Sequence, residues 1–212
     1  MGNTLNMILE SKIIAIVRGI SSERIVPTVG ALMDGGITCV EVTFSAKSQE
    51  ESKDTLRAIS MLKKEFGDAI ALGAGTVLTP QNVRDAASAG ATYMISPNAD
   101  ETVIKETKKL GLVSIPGAMT PTEIITAWNY GADIVKLFPA ATLGLKYIGA
   151  IRGPITHIPM TAVGGINAQN AQSFLDIGCA GVSVGGNLVS KKLIEAGDYQ
   201  AITKLALEYN LK

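Results

Sequence analysis

The chain has 212 residues, of which 47% are apolar and 18% charged, a length near the upper end for a single hydrophobic core. Nineteen basic and nineteen acidic residues cancel, which argues against a nucleic-acid or anionic-membrane partner held by bulk charge. No apolar run reaches the roughly 18 residues of a membrane helix, and the start shows no signal-peptide pattern and no myristoylation signal, so a cytoplasmic protein is expected. Cys39 and Cys179 lie far apart without a CxxC pair, giving no disulfide framework and no zinc site. The single histidine, His157, removes most His-based metal and triad chemistry; it falls in a loop and reads as a surface residue.

In chain order, short apolar runs predict eight strands over residues 13–17, 37–42, 70–74, 92–96, 112–115, 133–138, 159–163 and 180–184. Each run is nearly continuous in hydrophobicity, as a parallel strand buried on both faces must be. Helical periodicity fills the spaces between, at 22–34, 81–89, 100–110, 121–130 and 168–177. Thr79-Pro80, Thr120-Pro121-Thr122-Glu123 and Asn98-Ala-Asp-Glu101 read as helix starts. Gly36, Gly90, Gly111, Gly131 and Gly178 read as helix ends. The alternation allows a closed (β/α)8 barrel or a doubly wound open sheet. No GxGxxG follows the first strand, so the barrel is favoured, as one domain over residues 1–212 with no linker.

Barrel active sites collect where strands end and the following loops begin. Those ends offer Arg18, Glu41, Gly75-Thr76, Pro97-Asn98, Pro116-Gly117, Lys136, Gly164-Gly165 and Gly185-Gly186. Strand periodicity puts Ile134, Lys136 and Phe138 on the face that points inward, with Val135 and Leu137 outward. An ammonium there loses hydration, its pKa falls, and the neutral amine becomes a nucleophile that can form a Schiff base with a ketone. The plainer alternative is an ion pair or a lysine reaching out to the rim. Glu41 points inward by the same parity, with Cys39 and Thr43, and can meet Lys136 in one layer. Such a pair either neutralises itself or supplies a nucleophile with an acid/base partner.

The glycine pairs after the last two strands form a second constellation, since bare N–H groups there suit a phosphate. Gly164-Gly165-Ile166-Asn167 leads into a helix that Asn167 can cap, and Gly185-Gly186-Asn187 repeats the arrangement. Cys39 and Cys179 read as small core residues, Trp128 and Tyr130 as packing or a subunit contact, and 105–109 as a solvated helix face.

Taken together, Ile14-Ala-Ile-Val-Arg-Gly-Ile20, Val40-Glu-Val-Thr43, Gly73-Ala-Gly-Thr-Val77, Ile95-Ser-Pro-Asn98, Pro116-Gly-Ala-Met-Thr-Pro-Thr-Glu123, Val135-Lys-Leu-Phe-Pro139 and Gly164-Gly-Ile-Asn167 resemble a known family. It is that of the aldolases cleaving 2-dehydro-3-deoxy-6-phosphogluconate (KDPG) and 4-hydroxy-2-oxoglutarate (KHG). The match runs in order across essentially the whole chain. The resemblance implies a class I aldolase on a (β/α)8 barrel, a homotrimer without metal or other cofactor, acting on a small 2-keto acid. By position it implies Lys136 as the Schiff-base lysine and Glu41 as the acid/base residue. Thr76 would help hold the substrate carboxylate, Pro97 and Phe138 would line the pocket, and Arg18 with the glycine-pair loops would contact the phosphate.

Three positions depart from the commonest pattern of the family. Ser45 stands where many members carry an arginine, which shifts the carboxylate task towards Arg18 or Thr76. Val163 stands where the gluconate enzymes usually have threonine, and the branch acting on the galactonate epimer has valine. Asn187 replaces a serine near the phosphate loop. Other barrel enzymes of sugar phosphates are the competing class, but the DxKxxD array of such decarboxylases is absent, because Asp133 lies three residues before Lys136. A non-catalytic sugar-phosphate binder or scaffold is the remaining alternative.

Overall fold

Strands that are apolar on both faces need cover on both sides, and parallel neighbours joined through helices supply it. The structure, a computed structural model, describes residues 2–45, 48–209 and 211. Its strands are β1 (Ile13–Val17), β2 (Cys39–Thr43), β3 (Ala71–Gly75), β4 (Tyr93–Ile95), β5 (Val113–Ile115), β6 (Gly117–Ala118), β7 (Val135–Leu137), β8 (Met160–Val163) and β9 (Gly181–Val184). The helices are α1 (Gly2–Ser11), α2 (Ser22–Asp34), α3 (Gln49–Phe66), α4 (Pro80–Ala89), α5 (Glu101–Lys109), α6 (Pro121–Asn129), α7 (Ala140–Arg152), α8 (Ala171–Asp176), α9 (Lys191–Glu195) and α10 (Tyr199–Leu207).

All strand pairings are parallel, in the order β5-β4-β3-β2-β1-β9-β8-β7-β6. The fifth strand expected over 112–115 forms as β5, and a further segment, β6, follows it beyond Pro116, which has no N–H to give to a ladder. The stretch still closes the ring. On one side Ser96 N–H donates to Ile115 O (3.2 Å) and Gly117 N–H to Asn98 O (3.3 Å); on the other, Lys136 N–H donates to Pro116 O (2.8 Å). The result is a (β/α)8 barrel with its fifth strand broken at a proline.

The two faces of the strands build two separate cores. Val40, Val42, Leu72, Ala74, Met94, Val135 and Leu137 face the helices in the larger one. Ile14, Cys39, Ala71, Tyr93, Ile95, Val113, Ile115 and Ile134 fill the barrel interior, where Ile8 of α1 joins them. Helix α1 thus plugs the amino-terminal end, with Leu5, Met7 and Leu9 packed around Ile8. A space of only about 10 Å³ is left beneath it, room for about one water.

The helix signals hold in detail. Thr79 accepts from Asn82 N–H, Thr120 forms a reciprocal capping box with Glu123, and Asp100 accepts from the N–H groups of Thr102 and Val103. The five helix-ending glycines all have positive φ. Helices α1, α3, α7, α9 and α10 add to those expected. The predicted helix over 168–177 shortens to α8, because residues 168–170 form a turn of their own. The run over 105–109 is not solvated throughout: Lys108 is pulled to the base of β7, donating to both Asp133 oxygens at 2.6 Å. Asp133 also accepts from Ser114 N–H, which commits it to the strand's lower end and away from Lys136.

Candidate active site

The inward parity of β2 and β7 brings a carboxylate and an amine into the barrel. Glu41 is 1% exposed and Lys136 6% exposed, whereas their outward neighbours Val40, Val42, Val135 and Leu137 pack against helices. Burial lowers the Lys136 pKa, the nearby Glu41 charge opposes that shift, and Arg18 adds to it. Burial raises the Glu41 pKa, with Lys136 and then Arg18 acting the other way. Both groups are therefore pushed towards their neutral forms, an amine and a carboxylic acid. Phe138 leans over the amine, its ring centre 4.9 Å from Nζ. Beside them on β3, Gly75 leaves room for the carboxylate: a Cβ there would lie 1.6 Å from Glu41 Oε1.

Above the pair, Arg18 Nη2 donates to Thr76 Oγ1 at 3.2 Å. Thr76 has φ of 56°, a left-handed conformation that a β-branched residue adopts at a cost, and such costs concentrate at functional sites. A cavity of about 600 Å³ opens here, walled by Arg18, Thr43, Ser45, Thr76 and Lys191 among others. Neither Lys136 nor Glu41 lines it. Lys191 was not among the expected site residues. It begins α9, and nothing in its local sequence separates it from other helix-start lysines. Pro97 and Phe138 are exposed at the mouth, and Pro97 O would sit 2.3 Å from a Cβ on Gly117, the register partner of Lys136.

The two glycine pairs differ physically. Gly164 and Gly165 both have positive φ, and a Cβ on Gly165 would meet Ala141 Cβ at 2.5 Å, so backbone and packing both require glycine. Gly185 and Gly186 are under no such demand: a Cβ on Gly186 would meet nothing within 4 Å. Asn167 does not cap α8, whose N-cap position is Asn170; it accepts instead from the N–H groups of Gln169 and Asn170 and so caps the separate turn before the helix. Asn187 does not repeat this. Its amide crosses to the neighbouring loop and donates to Ile166 O at 2.7 Å, while α9 starts after Ser190. Asn187 therefore ties the two glycine loops together rather than capping a helix. Val163 is buried at the end of β8, two residues beyond Thr161 on the same inward face.

Elsewhere, His157 is exposed in its loop and meets the Trp128 ring edge to face, 6.3 Å between centres. Among the described residues no group of three or more His, Cys, Asp or Glu side chains is arranged to hold a metal ion, and no helix is long and apolar enough to cross a membrane.

A parallel barrel with a buried amine and carboxylate below its open rim defines a (β/α)8 enzyme. The model of the KDPG and KHG aldolase family matches residues 5–205, and the chain belongs to that family of aldolases, which are carbon–carbon lyases. The KHG/KDPG aldolase of Escherichia coli (strain K12) is 39% identical over 188 residues, 88% of this chain and 84% of that protein. The 2-dehydro-3-deoxy-6-phosphogalactonate aldolase of the same organism is 35% identical over 177 residues, 83% of each. KDPG aldolase from Legionella pneumophila, solved with pyruvate captured at low pH as a covalent carbinolamine intermediate, superposes with a TM-score of 0.86 at 29% identity, covering 96% of both chains.

Proposed function

We propose that this aldolase works through a Schiff base on Lys136, cleaving 2-dehydro-3-deoxy-6-phosphogluconate to pyruvate and glyceraldehyde 3-phosphate, or 4-hydroxy-2-oxoglutarate to pyruvate and glyoxylate. The observation that carries the reading is the nearly complete burial of Lys136 beside Glu41, which favours the neutral, nucleophilic amine. The amine adds to the C2 ketone and loses water to give an iminium. Glu41, directly or through water, takes the C4 hydroxyl proton; the C3–C4 bond breaks, and its electrons pass into the iminium to give an enamine and the free aldehyde. Protonation of the enamine at C3 and hydrolysis then release pyruvate and restore the amine.

Arg18 and Thr76 form the polar wall nearest the pair, and with Ser45 in the arginine position they are assigned the substrate carboxylate. The glycine loops, Gly164-Gly165 and Gly185-Gly186 tied by Asn187, are assigned the distal anion. Open space above Gly186 supports this, since glycine there answers no demand of the protein itself. Pro97, Phe138 and Val163 complete the pocket wall. The chain is read as one cytoplasmic domain with its cysteines free, and as a homotrimer. Met119, Ile125, Leu145 and Tyr147, exposed apolar side chains of the α6–α7 region, support a subunit contact.

Borohydride with pyruvate is expected to reduce an adduct onto Lys136, located by peptide mass; substrate-exposed, folded protein left unlabelled there would end the reading. A second reading, favoured by Val163, is the galactonate epimer: a buried valine offers no hydroxyl to the substrate at that wall. Side-by-side assay of the two epimers separates them, and sedimentation of the purified chain tests the trimer.

A further inference from the structure

The inward face of β3 carries two glycines, and a neighbour's side chain occupies the room beside each. A Cβ on Gly75 would collide with the Glu41 carboxylate, and one on Gly73 would lie 2.1 Å from Tyr93 Cε2. Gly73 is the register partner of Glu41 on one side and of Tyr93 on the other. A carboxylate from β2 and a phenol ring from β4 thus lie over the same strand, inside the barrel, on adjacent glycine steps. Tyr93 has no exposed surface, and its hydroxyl has no hydrogen-bond partner. Glu41 Oε2 is buried and unpartnered as well.

Phenylalanine would fill the space over Gly73 without enclosing a polar atom, so the hydroxyl calls for a reason. We propose that Tyr93 is a positioning residue for Glu41: its hydroxyl donates to the free carboxylate oxygen when Glu41 is ionised and so stabilises that form. The inference rests on the reading of Glu41 as the acid/base residue. The terminal torsion of a glutamate is soft, which leaves Oε2 free to rotate towards the phenol, and site hydrogen bonds tighten when substrate is bound.

The surrounding charges fit a donor role. Lys136 from β7 and Arg18 from the end of β1 act on Glu41, β3 brings no titratable group, and Cys39 is the other titratable group on β2. Burial, then Cys39 and Glu41, hold the Tyr93 pKa well above the usual value, so the phenol keeps its proton. Burial also keeps the Cys39 thiol protonated, its pKa pushed up to about 11.

Tyr93→Phe keeps the ring over Gly73 and removes only the oxygen. The readout is the Glu41 carboxyl titration, followed by carbon NMR of glutamate-labelled protein and assigned by the signal's loss in Glu41→Gln. In Tyr93→Phe the midpoint is expected to move up by about one pH unit, since a hydrogen bond to the charged form has been lost. The acidic limb of kcat/KM moves up with it. An unchanged or lowered midpoint overturns the inference, including the case where Tyr93→Phe and Tyr93→Leu lower Tm alone. The underlying reading is tested separately: Glu41→Gln with full activity removes Glu41 as the acid/base residue, whatever the phenol does to its titration.

Discussion

At the scale of single residues, the site depends on what is missing from β3. Gly75→Ala would drive a methyl group into the Glu41 carboxylate, and a displacement of about 1 Å near the chemistry costs about a hundredfold in rate. Steady-state kinetics should show kcat falling by that order while borohydride trapping at Lys136 persists. The raised pKa of Glu41 also has a signature in stability. The folded protein holds this proton at pH values where an unfolded carboxyl has lost it, so stability falls as pH rises from the ordinary carboxylate range through the raised value. In a Lys136→Met background, which removes the opposing charge, adding Glu41→Gln should leave Tm nearly unchanged below that window and raise it above. Lys136, Glu41 and their inward direction were legible because a strand's side chains alternate with period two, which a sequence displays directly. Tyr93 was not. Its meaning depends on Gly73 in one neighbouring strand and Glu41 in the next, and lateral register is not written in any one segment.

At the scale of elements, local signals carried through and non-local ones did not. Caps at Thr79 and Thr120 are settled within four residues of chain and form as expected, and within the start signal at 98–101 the cap is Asp100. Gly90 is one such local requirement: it has φ of 110°, and a Cβ there would lie 2.7 Å from Lys63 Cγ. Gly90→Ala should cost about 1–2 kcal/mol in urea unfolding. Activity below Tm should be unaffected, because this turn is at the end of the barrel opposite the site. Helix α3 escaped the sequence reading although Thr55, Ala58, Ile59 and Leu62 trace a narrow buried stripe and Ser48 caps it. Its remaining positions are so polar that the stripe is easily lost. Helix α1 was invisible for another reason: its apolar face has no partner until a barrel exists to be closed. The fifth strand was expected to end at 115, and β6 beyond Pro116 was not expected; it persists because the ring must close between β5 and β7.

At the scale of the whole molecule, the interior core and α1 act as one unit. Ile8 is the α1 residue buried in that core, and Ile8→Ala should cost about 2–4 kcal/mol by removing packed methylenes. Cys39 sits just above, its thiol donating to Met7 O at 3.6 Å, so it reports on the plug. Thiol labelling of Cys39 in mild denaturant should be faster in Ile8→Ala than in the parent. A barrel stoppered in this way is entered from its rim. On the proposed mechanism the products leave in sequence, the aldehyde first, because the pyruvate half would still be bonded to Lys136 while the aldehyde is free. In the reverse direction the queue is inverted, and pyruvate must enter before any aldehyde can follow. Product inhibition should carry that order, with pyruvate competing against the sugar acid for the free enzyme and the aldehyde not competing.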